Sequence, residues 1–120
     1  MEKVLGIGGI FFKARDPKAL AEWYRQHLGI SVEPGQTHGM VRASDGDITV
    51  WSTFPTDTKY FGTGPVLFMV NYRVKNLEAM LAQLRAAGAQ VDERVEEYDY
   101  GRFGWATDPE GNRFELWEPR

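Results

Sequence analysis

The sequence predicts an α+β fold built from two tandem β-α-β-β-β modules, which form a curled mixed sheet around a central cup with the helices outside. Three observations predict it. Each half contains one segment with helical periodicity, apolar strand-like runs flank both segments, and the order of elements repeats after about 60 residues. We expect one domain over residues 1–120, with modules of about 1–54 and 66–120 and a linker of about 55–65.

The first module begins with an apolar strand, Gly6–Ala14, that ends before Asp16. Asp is a favoured N-cap and Pro suits a first helical turn, so a helix is predicted over Pro17–Leu28, with Gly29 as its left-handed exit. Its predicted buried stripe is Leu20, Tyr24 and Leu28. The remaining predicted strands are Ile30–Glu33, Met40–Ala43 and Ile48–Phe54, the last two joined by an Asp45-Gly46 hairpin.

The second module repeats this order with a strand at Val66–Val74, an N-cap at Asn76 and a helix that ends at Gly88. Three more strands are predicted at Gln90–Val95, Phe103–Thr107 and Arg113–Trp117. A turn sequence, Asp108–Asn112, joins the last two. We interpret the acidic run from Asp92 to Asp99 as a solvated edge that limits strand pairing.

Composition excludes several partners and sites. With 14 basic and 17 acidic residues the formal net charge is −3, which argues against nucleic acid and membrane surfaces as partners. The chain has no cysteine, so disulfides and thiolate metal sites are excluded and a cytoplasmic location is expected. The apolar run Val4–Phe12 is too short to span a bilayer, and we interpret it as a strand.

Two motifs carry a resemblance to a known superfamily. They are Asp16-Pro17-x-x-Leu20-x-x-Trp23-Tyr24-x-x-x-Leu28-Gly29 and Asp108-Pro109-Glu110-Gly111-Asn112-Arg113-Phe114-Glu115-Leu116. With the duplicated module, they make the chain similar to the vicinal oxygen chelate superfamily of glyoxalases, bleomycin resistance proteins and dioxygenases. The resemblance implies a small-molecule pocket and a homodimer.

In metal-using proteins of that superfamily, the first and last strands of each half supply ligands. Counting along this chain by that pattern gives Gly9 and Met69 early, Val50 or Trp51 in the first half, and Glu115 late. Only Glu115 is a suitable ligand for a hard divalent cation. No cofactor is therefore predicted, and a divalent metal is disfavoured.

Strand alternation predicts which side chains line the cup. The candidate ligand-binding residues are Phe11, Lys13, Trp51, Asn71, Arg73, Trp105, Arg113 and Trp117. Cations and aromatic rings together suit a small, anionic or aromatic organic molecule, with Lys13 and Arg73 as an anion clamp. The three tryptophans serve either as stacking walls or as core or dimer packing.

Glu115 is the candidate catalytic residue. Burial would raise the pKa of its carboxyl and suit it to act as a general base, whereas a neighbouring Lys13, Arg73 or Arg113 would make it a structural ion pair. The first hypothesis is a binder that sequesters a small organic molecule without a complete metal site. The alternative is a lyase or isomerase that uses Glu115 as base or as metal ligand, and a pure interaction module is a third possibility.

Overall fold

The computed structural model describes all residues from 1 to 120 and has nine strands and two helices, which confirms the α+β class. In chain order these are β1 (Val4–Ala14), α1 (Pro17–Leu28), β2 (Ser31–Val32), β3 (His38–Arg42), β4 (Ile48–Pro55), β5 (Phe68–Val74), α2 (Leu77–Ala86), β6 (Gln90–Val91), β7 (Glu96–Tyr98), β8 (Gly101–Thr107) and β9 (Arg113–Pro119). Neither helix is long and apolar enough to cross a membrane.

The chain divides into two compact units. One, here called the N-terminal unit, comprises residues 8–68, and the other, the C-terminal unit, comprises residues 1–7 and 69–120. In the N-terminal unit the sheet order is β2-β3-β4-β1, with β1 and β4 parallel and Gly9 opposite Val50. The predicted hairpin joins β3 to β4, and Gly46 adopts the positive φ of 94° that its turn requires.

Helix α1 begins and ends where the sequence predicts. The Asp16 carboxylate accepts a hydrogen bond from the amide of Ala19, and Gly29 has a left-handed φ of 70°. Its predicted buried stripe is partly wrong, because Leu28 is 62% exposed and Ala21 is the fully buried residue. Each step of four residues turns a helix by 40° beyond a full circle, so Leu28 lies about 80° around the axis from Leu20.

The C-terminal unit has the sheet order β5-β9-β8-β6, with β7 paired to β8. Helix α2 is capped by Asn76, whose side chain accepts from the amide of Ala79, as predicted. The helix packs on one face of this sheet through an apolar cluster. The buried members of the cluster are Val74, Leu77, Met80, Leu81 and Leu116.

Strand β7 corrects the interpretation of the acidic run. The predicted strand Gln90–Val95 ends at Val91, whereas Glu96–Tyr98 pairs antiparallel with β8. Acidic side chains are unfavourable in strands, but here arginines offset them. Arg94 lies 3.0 Å from Glu96, and Glu97 forms ion pairs with two further arginines of the same unit.

Candidate functional site

The register of β5, β8 and β9 places most of the predicted site residues on one face of the C-terminal unit. Asn71 lies opposite Glu115, and Arg73 lies opposite Trp117. Trp105 in turn lies opposite Glu115. Paired residues point to the same side of a sheet, as do residues two apart along a strand. This face, here called the Glu115 face, carries Asn71, Arg73, Trp105, Arg113, Glu115 and Trp117. The neighbouring Leu116 belongs to the cluster under α2 on the opposite side.

Glu115 is at the centre of this face and is only 2% exposed. The Asn71 side-chain nitrogen Nδ2 donates to Glu115 Oε1 over 2.5 Å, and the Trp105 indole Nε1 donates to Glu115 Oε2 over 3.0 Å. Both donors are themselves buried. The carboxylate is therefore fixed by two hydrogen bonds from neutral groups, which satisfy part of the hydrogen bonding that it loses with water.

Asn71 leaves one polar atom unsatisfied. Its side chain is 2% exposed, yet its amide oxygen Oδ1 has no hydrogen-bond partner. A buried acceptor without a donor is uncommon in folded proteins and requires an explanation. This oxygen has almost no accessible surface, so it is closed to solvent in this structure.

Trp105 is completely buried and has two guanidinium groups over its ring. The Arg94 Cζ atom lies 5.0 Å from the ring centroid, and the Arg113 Cζ atom lies 5.7 Å from it. Arg113 also forms an ion pair with Asp92, in which both carboxylate oxygens accept at 2.9–3.0 Å. The sequence suggested Arg113 as one possible ion-pair partner of Glu115. In the structure its guanidinium forms an ion pair with Asp92 and packs on the Trp105 indole, which donates a hydrogen bond to Glu115.

Aromatic rings extend the Glu115 face along β8 and β9. Phe103 and Trp117 are stacked with 5.9 Å between ring centroids and an interplanar angle of 4°, and Tyr98 and Tyr100 are stacked in the same way at 5.3 Å. The Tyr98 hydroxyl donates to Glu96, and this hydrogen bond is the main cause that raises the pKa of Tyr98. The sequence interpretation missed both tyrosines, although their i, i+2 spacing beside an apolar strand was a usable signal.

Arg73 contacts the beginning of β1. Its Nη1 donates to the carbonyl oxygen of Ile7 over 2.8 Å, and its guanidinium covers Gly6. A Cβ atom at Gly6 would lie 2.5 Å from Arg73 Nη2, so the absence of a side chain there allows this approach.

The remaining predicted site residues lie in the N-terminal unit. Phe11 is buried against Phe54 and Tyr60, with ring centroids 5.6 and 6.5 Å away. The Lys13 ammonium lies 5.7 Å from the centroid of Phe61, a cation–π distance. Tyr60 and Phe61 are the two aromatic residues of the predicted linker, so that segment contributes to packing as well as to connection.

Trp51 lies in the core of the N-terminal unit, in the same cluster as Ala21 and Val32. It pairs with Ile10 and packs against Phe12, Tyr24 and Ala21 beneath α1. It therefore belongs to the core packing that was the alternative for the tryptophans, and the expectation that it shares a surface with Phe11 is wrong. The reason is the register: Ile10 and Trp51 are partners, and Ile10 alternates with Phe11 along β1.

The residues present do not fit a divalent metal. A Cβ atom at Gly9 would lie 2.8 Å from Phe11 Cε1, so the Phe11 ring fills the space that a ligand side chain at that position would need. Met69 is 1% exposed and offers only a thioether. No group of three or more histidine or acidic side chains is arranged to hold a metal ion. Glu115 alone is short of the three or four ligands of a tight site.

The N-terminal unit also contains a groove of about 720 Å³ beside α1. Its walls include Trp23, Tyr24, Leu20 and Leu67, and the basic residues Lys13 and Arg15 also line it. The sequence interpretation did not identify this groove, because it assigned Leu20 and Tyr24 to a continuous buried stripe.

Comparison with known proteins identifies relatives by sequence and by structure. Residues 9–117 match the family of glyoxalase-like domains. No curated protein sequence matches the chain.

Solved structures with a similar fold include methylmalonyl-CoA epimerase from Mycobacterium tuberculosis, with 21% identity, a TM-score of 0.70, and 98% of this chain and 89% of that chain covered. The epimerase from Streptomyces coelicolor, a variant in complex with 2-nitronate-propionyl-CoA, has 19% identity and a TM-score of 0.75, with 98% of this chain and 99% of that chain covered. A glyoxalase/bleomycin resistance protein/dioxygenase superfamily protein from Vibrio splendidus 12B01 has 15% identity and a TM-score of 0.60, with 98% of this chain and 99% of that chain covered. At these identities the likeness establishes the fold.

Proposed function

Because the chain belongs to the glyoxalase-like domain family of the glyoxalase/bleomycin resistance/dioxygenase superfamily, we propose that it binds a small organic molecule with an aromatic part. The site is the Glu115 face of the C-terminal unit, and binding needs no metal. The observation that carries the proposal is the buried Glu115 carboxylate, held by Asn71 and Trp105 beside stacked aromatic rings.

Such a carboxylate is costly for a purely structural protein. Taking a carboxyl group out of water is unfavourable even when hydrogen bonds replace part of its hydration, and an apolar residue would pack there without that cost. Buried polar clusters of this kind are typical of binding and catalytic sites. The stacked rings of Phe103 and Trp117 add apolar groups beside this cluster, which suits a ligand with an aromatic part.

The direct test is a titration of the full chain with indole and with phenol, followed through the indole N–H signals in ¹H–¹⁵N spectra. We expect the signals of Trp105 and Trp117 to shift and saturate, while that of Trp51, buried in the other unit, stays unchanged. Shifts confined to Trp23, or no shifts at millimolar concentration, would refute the proposed site. Native mass spectrometry and metal analysis of chelator-free protein complete the test, since one equivalent of bound metal per chain would contradict metal-free binding.

A second candidate function is a lyase or isomerase with Glu115 as general base. Two observations favour it: Glu115 is buried with both oxygens oriented, and solved structures with this fold include methylmalonyl-CoA epimerases. Its test is deuterium incorporation from D₂O into methylmalonyl-CoA. If the candidate is right, the chain catalyses exchange, and Glu115→Gln abolishes it while still binding the thioester. Equal exchange by both proteins would exclude Glu115 as the base.

We also propose that the chain forms a homodimer. Large apolar side chains are exposed on each unit, namely Val4, Leu5 and Ile7 on the C-terminal unit and Leu67 and Phe68 on the N-terminal unit. Exposed apolar surface of this kind is common at subunit interfaces. Sedimentation velocity at micromolar concentration should give the mass of two chains, and a monomer throughout would contradict the proposal.

A further inference from the structure

We infer that the groove beside α1 is a second binding site, and that it takes a small organic carboxylate with a flat apolar body. This groove, here called the Trp23 groove, is the cavity of about 720 Å³ whose walls include Leu20, Trp23, Tyr24 and Leu67. All of its lining residues belong to the N-terminal unit, and none belongs to the Glu115 face. The inference therefore goes beyond the proposed function and does not depend on it.

The walls of the Trp23 groove are apolar and accessible. Leu20, Trp23 and Tyr24 stand at positions i, i+3 and i+4 of α1, so they share one face of that helix. Trp23 is 52% exposed, and Leu67 is 69% exposed. Large apolar side chains that are exposed singly are ordinary, but several of them lining one concave surface are typical of a ligand site.

Contacts with the rest of the unit hold these walls in place. The Trp23 and Tyr24 rings pack nearly perpendicular with 5.4 Å between their centroids, and the Tyr24 ring lies 4.5 Å from that of the buried Trp51. The carbonyl oxygen of Leu67 accepts a hydrogen bond from the amide of Lys13 over 2.8 Å, which fixes the Leu67 backbone against β1. A ligand therefore meets an ordered surface and loses little affinity to the ordering of side chains.

The size of the groove and the angle between its rings suit a small flat molecule. Ligand pockets have volumes of about 300–1,000 Å³ and are mostly apolar with a few polar groups. The Trp23 and Tyr24 rings are inclined at 70° to each other. A flat ligand can stack on one ring and contact the other edge-on, and both arrangements are favourable for aromatic groups.

Arg15 gives the groove a cation that has no partner in the protein. It lines the groove, is exposed, and forms no hydrogen bond or ion pair within the chain. Lys13 also lines the groove, but its ammonium packs over the Phe61 ring, 5.7 Å from the centroid. The acidic lining residue, Asp16, caps α1 by accepting a hydrogen bond from the amide of Ala19. A carboxylate on the ligand is therefore the group that complements Arg15.

The experiment compares 2-naphthoate with 2-naphthamide, which match in shape and differ in charge at neutral pH. Each is titrated into the full chain and followed through the Trp23 indole N–H signal in ¹H–¹⁵N spectra. We expect both probes to move this signal, and naphthoate to bind about three- to fivefold more tightly, the ratio that an exposed ion pair gives. Arg15→Gln should reduce the ratio to about one. Lys18→Gln is the matched control, because it removes an exposed cation that does not line the groove, and it should leave the ratio unchanged.

Several results would overturn the inference. Equal or tighter binding of naphthamide would show that the groove does not select an anion, and an unchanged Trp23 signal at millimolar concentration would show that it is not a ligand site. A Trp23 signal that moves when the chain alone is diluted would show that a second copy covers the groove instead. Equal loss of the ratio in Arg15→Gln and Lys18→Gln would assign the preference to the net charge of the chain. Because the comparison is read at Trp23, it stands whether or not Trp105 and Trp117 respond, and those two signals test the proposed function separately.

Discussion

Replacing Trp105 with phenylalanine removes the indole N–H that donates to Glu115 Oε2 over 3.0 Å. Removing the donor of a buried hydrogen bond costs about 1–3 kcal/mol, because the acceptor is left unsatisfied. Because Trp105 is completely buried, the smaller ring also leaves a void that costs about 1 kcal/mol. The total loss in the free energy of unfolding should therefore be about 3 kcal/mol, which a domain with a typical stability of about 5–15 kcal/mol survives.

A double-mutant cycle separates the two contributions. Urea unfolding at neutral pH, followed by circular dichroism, would be measured for Trp105→Phe, Glu115→Leu and the double variant. The void is present with and without Glu115, so it cancels, and the coupling energy isolates the hydrogen bond. We expect a coupling of about 1–3 kcal/mol. A value below about 0.5 kcal/mol would show that the indole does not stabilise the buried carboxylate, and would remove the main support for the Glu115 face as a built site.

Two further predictions test the turn before β9 and the space at the first strand. Hydrogen bonds from Asn112, led by that of its side chain, lower the pKa of Asp108, so the stability that this carboxylate provides is present above the ordinary aspartate pKa and lost as the pH falls below it. Unfolding curves of the wild type and Asp108→Asn should therefore converge in acid, and a gap that persists at pH 2 would contradict this. Gly9→Ala should destabilise the chain by about 1–3 kcal/mol, because the new methyl group meets the Phe11 ring, and Phe11→Ala should relieve that cost. Gly64→Ala is the matched control in thermal unfolding, since open space surrounds Gly64.

Local signals in the sequence were sufficient for most elements. The bounds of α1 follow from Asp16 and Gly29, and those signals operate within a few residues. The strand at Glu96–Tyr98 could not be predicted in this way, because it is seen only in its pairing with β8, where Arg102 and Arg120 lie beside Glu97. The β-propensity of Glu96, Glu97 and Tyr98 alone does not show that arginines elsewhere in the unit neutralise these carboxylates.

In the candidate site too, local signals predicted the strand faces, whereas contacts between residues distant in the chain could not be predicted. Alternation along β5 and β9 was enough to place Asn71 and Glu115 on equivalent faces. It could not show that the two side chains meet, because this depends on the register of parallel strands 44 residues apart in the chain. The error at Trp51 has the same cause: the sequence left the register of β4 against β1 open, and a shift of one residue changes the face of every side chain.

The division of β1 between two units also affects how the chain can fold during synthesis. The backbone of Glu2 exchanges hydrogen bonds with the side chain of Gln83, and the Ile7 carbonyl accepts from Arg73, so the first seven residues are completed by the last part of the chain to be made. A ribosome that adds 5–20 residues per second needs roughly 3–13 s to proceed from Ile7 to Arg73. Throughout that interval the segment that carries the apolar side chains of Val4, Leu5 and Ile7 lacks these contacts, so it is available for capture by chaperones.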